Sequence, residues 1–139
     1  MNFLRKEEQM EGYRLIGEGL NVFEEERAVE GPVKWLGSPQ EVIAFVEKGQ
    51  APHHIVIARG GTTTFLSPAL NAEVKGILTL QGAPESHLGI LSREFQIPCI
   101  MSVKFLEGAP NERGEIIPPD GTIVRLDTSS CPTGRVYVK

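Results

Sequence analysis

The sequence predicts an α/β domain with a β-rich second layer. Two observations carry this. Between Ser38 and Val103, apolar strand-like runs alternate with helix signals, and after Gly108 only strand-like runs follow. Alternation lays helices over a sheet, and the strand-only remainder supplies a further β layer. Gly and Pro together contribute 25 of the 139 residues, so the elements are short and the turns many. The length suits one domain. With 40% hydrophobic and 23% charged residues, a packed core is expected and wholesale disorder is excluded.

Residues 1–26 are polar. Leu4, Met10, Tyr13, Leu15, Ile16, Leu20, Val22 and Phe23 are spaced loosely as in a helix, and Gly12, Gly17 and Gly19 interrupt them. This stretch is predicted to be an acidic leader, partly helical or mobile, with residues 27–139 as the body. Ala28-Val29 and Val33 to Leu36 read as strands around a Gly31-Pro32 turn. Ser38-Pro39-Gln40-Glu41 is a capping box with Pro at the first helical position. Val42, Ile43, Phe45 and Val46 form the stripe to be buried, and Lys48-Gly49 is the stop. Ile55 to Ala58 is wholly apolar, as in a strand buried on both faces. Ser67-Pro68 signals the start of a second short helix that ends before Gly76. Ile77 to Leu80 is a strand, Gln81 to Glu85 a turn, and Ser86 to Phe95 a helix stopped before Pro98. Cys99 to Val103 is a strand and Gly108 to Gly114 a polar loop. Ile116-Ile117, Thr122 to Leu126 and Arg135 to Val138 close the chain as strands, with turns at Asp120-Gly121 and Ser129 to Gly134.

Charge narrows the function classes. Residues 1–30 hold four basic side chains and eight glutamates, while the remainder holds ten of each sign. A neutral body with an acidic front end argues against a basic nucleic-acid-binding face. No apolar run approaches the ~18 residues of a membrane span. The start, MNFLRKEEQM, lacks the apolar stretch of a signal peptide, so a cytoplasmic protein is expected. Two cysteines suggest no disulfide framework there.

His87 carries the chemistry. It follows a strand and a glycine-containing turn and falls in the first turn of a predicted helix. Unpaired backbone N–H groups and the helix dipole make such a position an anion site. Ser86 is the natural N-cap. An imidazole titrates near pH ~6.5, so it is largely neutral at pH 7 and is a usable nucleophile. A neutral nucleophile at an anion site suits phosphoryl transfer to nitrogen. An ordinary capping or surface histidine fits the same local pattern.

The flanking residues add to this. The stretch Gly82-Ala83-Pro84-Glu85-Ser86-His87-Leu88-Gly89-Ile90-Leu91-Ser92-Arg93-Glu94-Phe95-Gln96-Ile97-Pro98 resembles the signature of the phosphohistidine swivelling (mobile) domain of the PEP-utilising enzymes. That family includes pyruvate phosphate dikinase, PEP synthase, enzyme I of the sugar phosphotransferase system, rifampicin phosphotransferase and phenylphosphate synthase. Gly82, Ser86, His87, Ile90, Arg93, Glu94, Ile97 and Pro98 keep the family's spacing. The apolar strand Ile55 to Ala58, the Thr62-Thr63-Thr64 loop, Val74 to Thr79, Asp120 to Asp127 and Gly134 to Tyr137 extend the likeness over about residues 27–139.

The resemblance implies a three-layer β/β/α fold with His87 exposed at a loop–helix junction and accepting a phosphoryl group. Ser86, Gly82, Thr63 and Thr62 would support that site. The chain would then be a carrier, a phosphotransferase subunit rather than a complete enzyme. It binds no cofactor itself and no metal on this reading. Mg²⁺ with ATP or PEP would belong to partner subunits, one nucleotide-binding and ATP-grasp-like, the other resembling the PEP/pyruvate barrel. The sequence shows no Walker loop, and its length leaves no room for those domains. Neither a nucleic acid nor a membrane is expected as partner.

Four positions depart from the family pattern. Glu85 replaces Thr or Leu, and Ala83, Gln96 and Ser102 replace glycines. A carboxylate beside the nucleophile favours imidazolium and repels phosphate. Glu85 and the acidic leader therefore support an alternative, a non-catalytic relative kept as an interaction or regulatory module. A hydrolase or isomerase using His87 as general base lacks a carboxylate–histidine pairing other than Glu85.

Other candidates have two readings each. Thr62, Thr63 and Thr64 either bring a hydroxyl to the imidazole or form a polar loop. Arg93 either meets phosphate or makes a structural or interface ion pair. Its position roughly 9 Å up the helix from His87 favours the second. The adjacent pair His53-His54 would point to opposite faces of a strand, which does not make a metal site. Cys99, in an apolar strand, reads as a small core residue. Glu24 to Glu26 reads as a solvated run or an acidic handle for a partner.

Overall fold

The computed structural model describes residues 12–22, 28–59, 63–82, 87–111, 114–128 and 133–138. The chain order is β1 (Arg14–Asn21), β2 (Ala28–Trp35), α1 (Pro39–Glu47), a 3₁₀ turn (Ala51–His53), β3 (Ile55–Ala58), α2 (Thr63–Asn71), β4 (Gly76–Thr79), α3 (His87–Glu94), β5 (Cys99–Phe105), β6 (Ala109–Pro110), β7 (Ile116–Ile117), β8 (Ile123–Asp127) and β9 (Thr133–Val138). The architecture is mixed α/β, mostly strands with a few helices.

Seven strands close into a barrel in the order β1-β5-β4-β3-β2-β8-β9. Strands β2 to β5 run parallel, with Val33 opposite Ile55, Ile55 opposite Gly76 and Ile77 opposite Cys99. β1, β8 and β9 join them through antiparallel pairings. The period-two alternation of the strands sorts their side chains into two apolar clusters. Val56, Ala58, Ile77, Cys99 and Met101 pack with Val42, Phe45, Leu66, Leu70 and Leu88 of the helices. Ile55, Ile57, Leu78 and Ile100 face the other way and pack with Ile16, Val124, Leu126 and Val136. All four residues of β3 are fully buried, as a strand covered on both faces requires.

The capping box forms at α1. Ser38 accepts a hydrogen bond from the Glu41 N–H at 3.2 Å. The Glu41 carboxylate reaches one residue further back and accepts from the Gly37 N–H at 2.6 Å. Val42 and Phe45 are buried and Val46 partly so, but Ile43 is 51% exposed and lies outside the stripe. Gly49 ends the helix at φ +73°.

Four expectations are corrected. The first concerns the leader. Residues 14–21, assigned to it, form β1, which fills the gap between β5 and β9 and so closes the barrel. Gly17 and Gly19, read as helix interruptions, are sites of close approach. A Cβ at Gly19 would lie 2.5 Å from the Met101 carbonyl oxygen. Residues 1–11 and 23–27 lie outside the described residues. Secondly, Gly31-Pro32 is no turn but part of a continuous β2. Pro32 stands opposite Ile123, and the pairing with β3 begins only at Val33, so the missing N–H falls before that ladder. Thirdly, α2 begins at Thr63 and carries Pro68 inside it. Burial of Leu66, Ala69 and Leu70 outweighs the hydrogen bond that proline removes. Finally, the stretch 108–114, expected as a loop, contains β6, which pairs with β7.

The β6–β7 hairpin is tied to the end of β3. The Arg59 guanidinium donates to both carboxylate oxygens of Glu115, at 2.7 and 3.0 Å to one and 3.2 Å to the other. It also lies 5.5 Å from the centre of the Trp35 ring. Asn111 adds a side-chain hydrogen bond to Glu115 at 3.0 Å.

Candidate functional site

The site is built by two neighbouring strand–helix connections. β3 and β4 lie side by side, with Ala58 opposite Thr79. Each strand leads from its carboxyl end into a helix, β3 into α2 and β4 into α3. Thr63 is the first residue of α2 and His87 the first of α3. These two helices pack against each other. The topology therefore brings both helix starts to one end of the barrel, beyond the carboxyl ends of the parallel strands. The backbone N–H groups of the first turn of α3 have no partner within the helix and favour an anion.

The exit from β4 is held by hydroxyls. Thr79, fully buried, donates from Oγ1 to the Gln81 carbonyl oxygen at 2.6 Å. Ser102 donates from Oγ to the Gly82 carbonyl oxygen, also at 2.6 Å. Gly82 has φ +111°, and a Cβ there would meet nothing closer than 3.7 Å. Its backbone conformation, rather than lack of space, calls for glycine. In the sequence, the signal for Thr79 is a hydroxyl inside the otherwise apolar run Ile77 to Leu80.

Helix α3 is anchored by Leu88, 2% exposed, and by Ser92, whose hydroxyl donates to the Gly89 carbonyl at 2.9 Å. Arg93 donates to the Val22 carbonyl at 3.4 Å, tying the helix to the chain just after β1. Gln96 closes α3 at φ +58°, the left-handed conformation for which the family uses glycine. The Gln96 N–H bonds to the Arg93 carbonyl and the Ile97 N–H to the Ser92 carbonyl. Beneath the helix, burial pushes the Cys99 thiol up to about 12, against the lowering effects of a hydrogen bond with Ser92 and of the Arg93 charge.

The structure describes Gly82 and Arg93 fully, and the backbones of Thr63 and His87. Thr62, Ala83, Glu85 and Ser86 lie outside the described residues, as do Glu24 to Glu26 and Cys131, and so does the exposure expected of the His87 side chain. His53 and His54 are in and just after the 3₁₀ turn rather than in a strand. His54 Nδ1 is 2.9 Å from the Gln50 carbonyl oxygen, and its ring meets Phe45 edge-on at 5.2 Å. Among the described residues, no helix is long and apolar enough to cross a membrane.

A mixed α/β domain with a histidine opening a helix at the carboxyl edge of its parallel strands defines the class. The family model of the PEP-utilising enzyme mobile domain matches residues 49–130. The chain belongs to that family. A curated relative, the phosphoenolpyruvate-protein phosphotransferase of Streptomyces coelicolor, is 38% identical over 88 residues. The match takes in 61% of this chain and 13% of the relative's length. Among solved structures, the muramoyltetrapeptide carboxypeptidase of Oxalobacter formigenes aligns with a TM-score of 0.50 at 12% identity. It covers 96% of this chain and 52% of that one, a likeness of fold alone. The family and the phosphotransferase relative support a phosphoryl-carrier role in a PEP-utilising system.

Proposed function

We propose that this chain is a phosphoryl carrier that accepts a phosphoryl group on His87 and passes it between separate partners. The observation that carries the reading is the place of His87. It opens α3 at the carboxyl edge of the parallel strands, inside the segment that matches the family. In the loading step an imidazole nitrogen attacks phosphorus. The N–P bond forms as the bond from phosphorus to the donor oxygen breaks, and the electron pair leaves with that oxygen. Unloading reverses this onto an acceptor. On this reading Ser86, Gly82, Thr63 and Thr62 support the phosphoryl site. Arg93 is read as structural, supported by its bond to Val22. We read the architecture as the three-layer β/β/α swivelling fold, with the helices, the parallel strands and the antiparallel strands as its layers.

The cofactors stay with the partners on this reading. Mg²⁺ and ATP or PEP bind to a nucleotide-binding, ATP-grasp-like subunit and to a PEP/pyruvate-barrel-like subunit, all in the cytoplasm. Incubation with such subunits and ³²P-labelled PEP, or ATP labelled at the β or γ position, should label His87. The adduct should be acid-labile and alkali-stable. Label that persists in His87→Ala would sink the assignment. The second reading, a non-catalytic interaction module, rests on Glu85. It requires wild type to stay unlabelled with every donor.

A further inference from the structure

We propose that the groove at the amino ends of the parallel strands is a docking site for an extended, basic segment of a partner protein, which adds to the open edge of β2. This site is independent of the carrier reading. The groove, of about 510 Å³, lies between the start of β2 and the connections that lead from α2 into β4 and from α3 into β5. It is therefore at the end of the parallel strands opposite the one where α3 begins, so a partner held there leaves the helix start that carries His87 uncovered.

The backbone of β2 points to a strand as the ligand. β2 pairs with β8 from Ala28 to Pro32 but with β3 only from Val33. Among the described residues, the edge of Ala28 to Glu30 away from β8 has no strand beside it. Val33 makes main-chain bonds on the β8 side, its N–H to the Thr122 carbonyl at 3.0 Å and its carbonyl to the Gly121 N–H at 2.9 Å. Successive residues of a strand face alternate edges, so Ala28 and Glu30 present their main-chain groups to the groove. The Glu30 carbonyl shows this directly. It accepts from Lys75 Nζ at 2.8 Å, and this exposed side chain stands where the N–H of an added strand would donate. The 3₁₀ turn bounds the edge at Gly31, where a Cβ would lie 2.9 Å from the His53 carbonyl oxygen. Peptide strands add to edges of this kind, taking affinity from main-chain bonds and specificity from side-chain contacts.

Charge and apolar surface choose the occupant. Val74, Ile97 and Pro98 are buried beneath the groove, and Phe95 on its rim is 44% exposed. The ionisable side chains that line it are Glu30, Glu73 and Lys75, two carboxylates to one ammonium. The Tyr13 hydroxyl donates to the Glu30 carboxylate at 2.5 Å and holds it in place. Both α2 and α3 end at the groove, and a helix carboxyl end adds partial negative charge. A cation is therefore favoured over an anion, and an arginine can also stack on Phe95. The segment that fits carries basic residues among apolar ones.

The test uses the full chain, labelled with ¹⁵N, and the acetylated, amidated peptide Val-Arg-Val-Arg-Val. Saturable binding below about 1 mM is expected, with the largest amide shifts at Ala28, Glu30, Lys75 and Gln96. Val-Glu-Val-Glu-Val should bind at least about tenfold more weakly. So should the arginine peptide N-methylated along its backbone, which keeps its charge and loses its donors. Phe95→Ala and Glu73→Lys should each weaken binding about five- to tenfold. Lys75→Ala frees the Glu30 carbonyl and removes a like charge, so it should tighten binding about threefold. All three side chains are exposed, so the fold is not at risk. No saturable binding, equal affinity for the acidic or the N-methylated peptide, or shifts centred elsewhere would each overturn the proposal. A wild type that sediments as a dimer and becomes monomeric in Phe95→Ala would give the groove to a second copy and overturn it too. None of these outcomes bears on the labelling of His87, which tests the carrier reading separately.

Discussion

Cys99 shows how burial turns a reactive group into an inert one. Its thiol keeps its proton in the folded chain up to about 12, against 9.0 when unfolded. Between these values the unfolded state binds fewer protons, so rising pH favours unfolding. The stabilising contribution is complete below the unfolded value and drains away as pH climbs through it. Urea titrations should show wild type losing about 1.4 kcal/mol more than Cys99→Ala between pH ~8 and ~10. Equal losses would mean that the thiol is not protected. Glu85 is a second case where magnitude decides. Two exposed charges ~4 Å apart in water interact by about 1 kcal/mol. In an active carrier, Glu85→Thr should therefore speed labelling of His87 by no more than about tenfold. Label gained only in the variant would favour the non-catalytic reading of the wild-type chain.

Among the described residues, the three α-helices are each followed by a left-handed residue, and the residues differ. Gly49, Glu73 and Gln96 follow α1, α2 and α3 in the left-handed region, at φ +73°, +61° and +58°. Only the first is glycine. After α2, the Glu73 N–H bonds to the Leu70 carbonyl and the Val74 N–H to the Ala69 carbonyl, the same paired closure that ends α3. The backbone geometry is therefore set by the turn into the next strand, and the side chain tolerates it. Opposite substitutions should have opposite signs. Glu73→Gly should stabilise the chain by about 0.5–1 kcal/mol, and Gly49→Ala should destabilise it by about 1 kcal/mol. Nothing lies within 4 Å of a Cβ at Gly49, so its effect is conformational rather than steric. Denaturant midpoints that move in the same direction for both would contradict this account.

Barrel closure depends on β1. It is hydrogen-bonded on one side to β5 and on the other to β9, and its Ile16 is 2% exposed in the inner cluster. Removing it would leave two open strand edges and strip the cover from that cluster. A chain starting at Arg27 should fail to unfold cooperatively and should bind a hydrophobic dye, although it retains the whole family-matched segment. Cooperative unfolding at the wild-type temperature would show β1 to be dispensable. A milder probe is Gly19→Ala, whose Cβ meets a backbone oxygen at 2.5 Å. It should cost about 2–3 kcal/mol and lower the melting temperature by roughly 10 °C.

Much of the domain was legible from residues alone, because local chemistry decides those parts. The Ser38 cap, the wholly apolar β3 and the helix after Gly82 rest on hydrogen bonds and burial patterns confined to a few neighbouring residues. The family signature around His87 is likewise local. Where long-range pairing competed with local signals, the local reading failed. Gly17 and Gly19 look like helix breakers until β5 is laid against them, and Pro68 looks like a helix start until Leu66 and Leu70 are buried on both sides of it. The bulge that turns Ser102 toward Gly82 exists only because β1 and β5 meet out of step, strands separated by most of the chain. Short-range hydrogen bonding and side-chain periodicity are written in consecutive residues. Strand neighbours, register and close backbone approach arise only when distant segments exclude water from the same core.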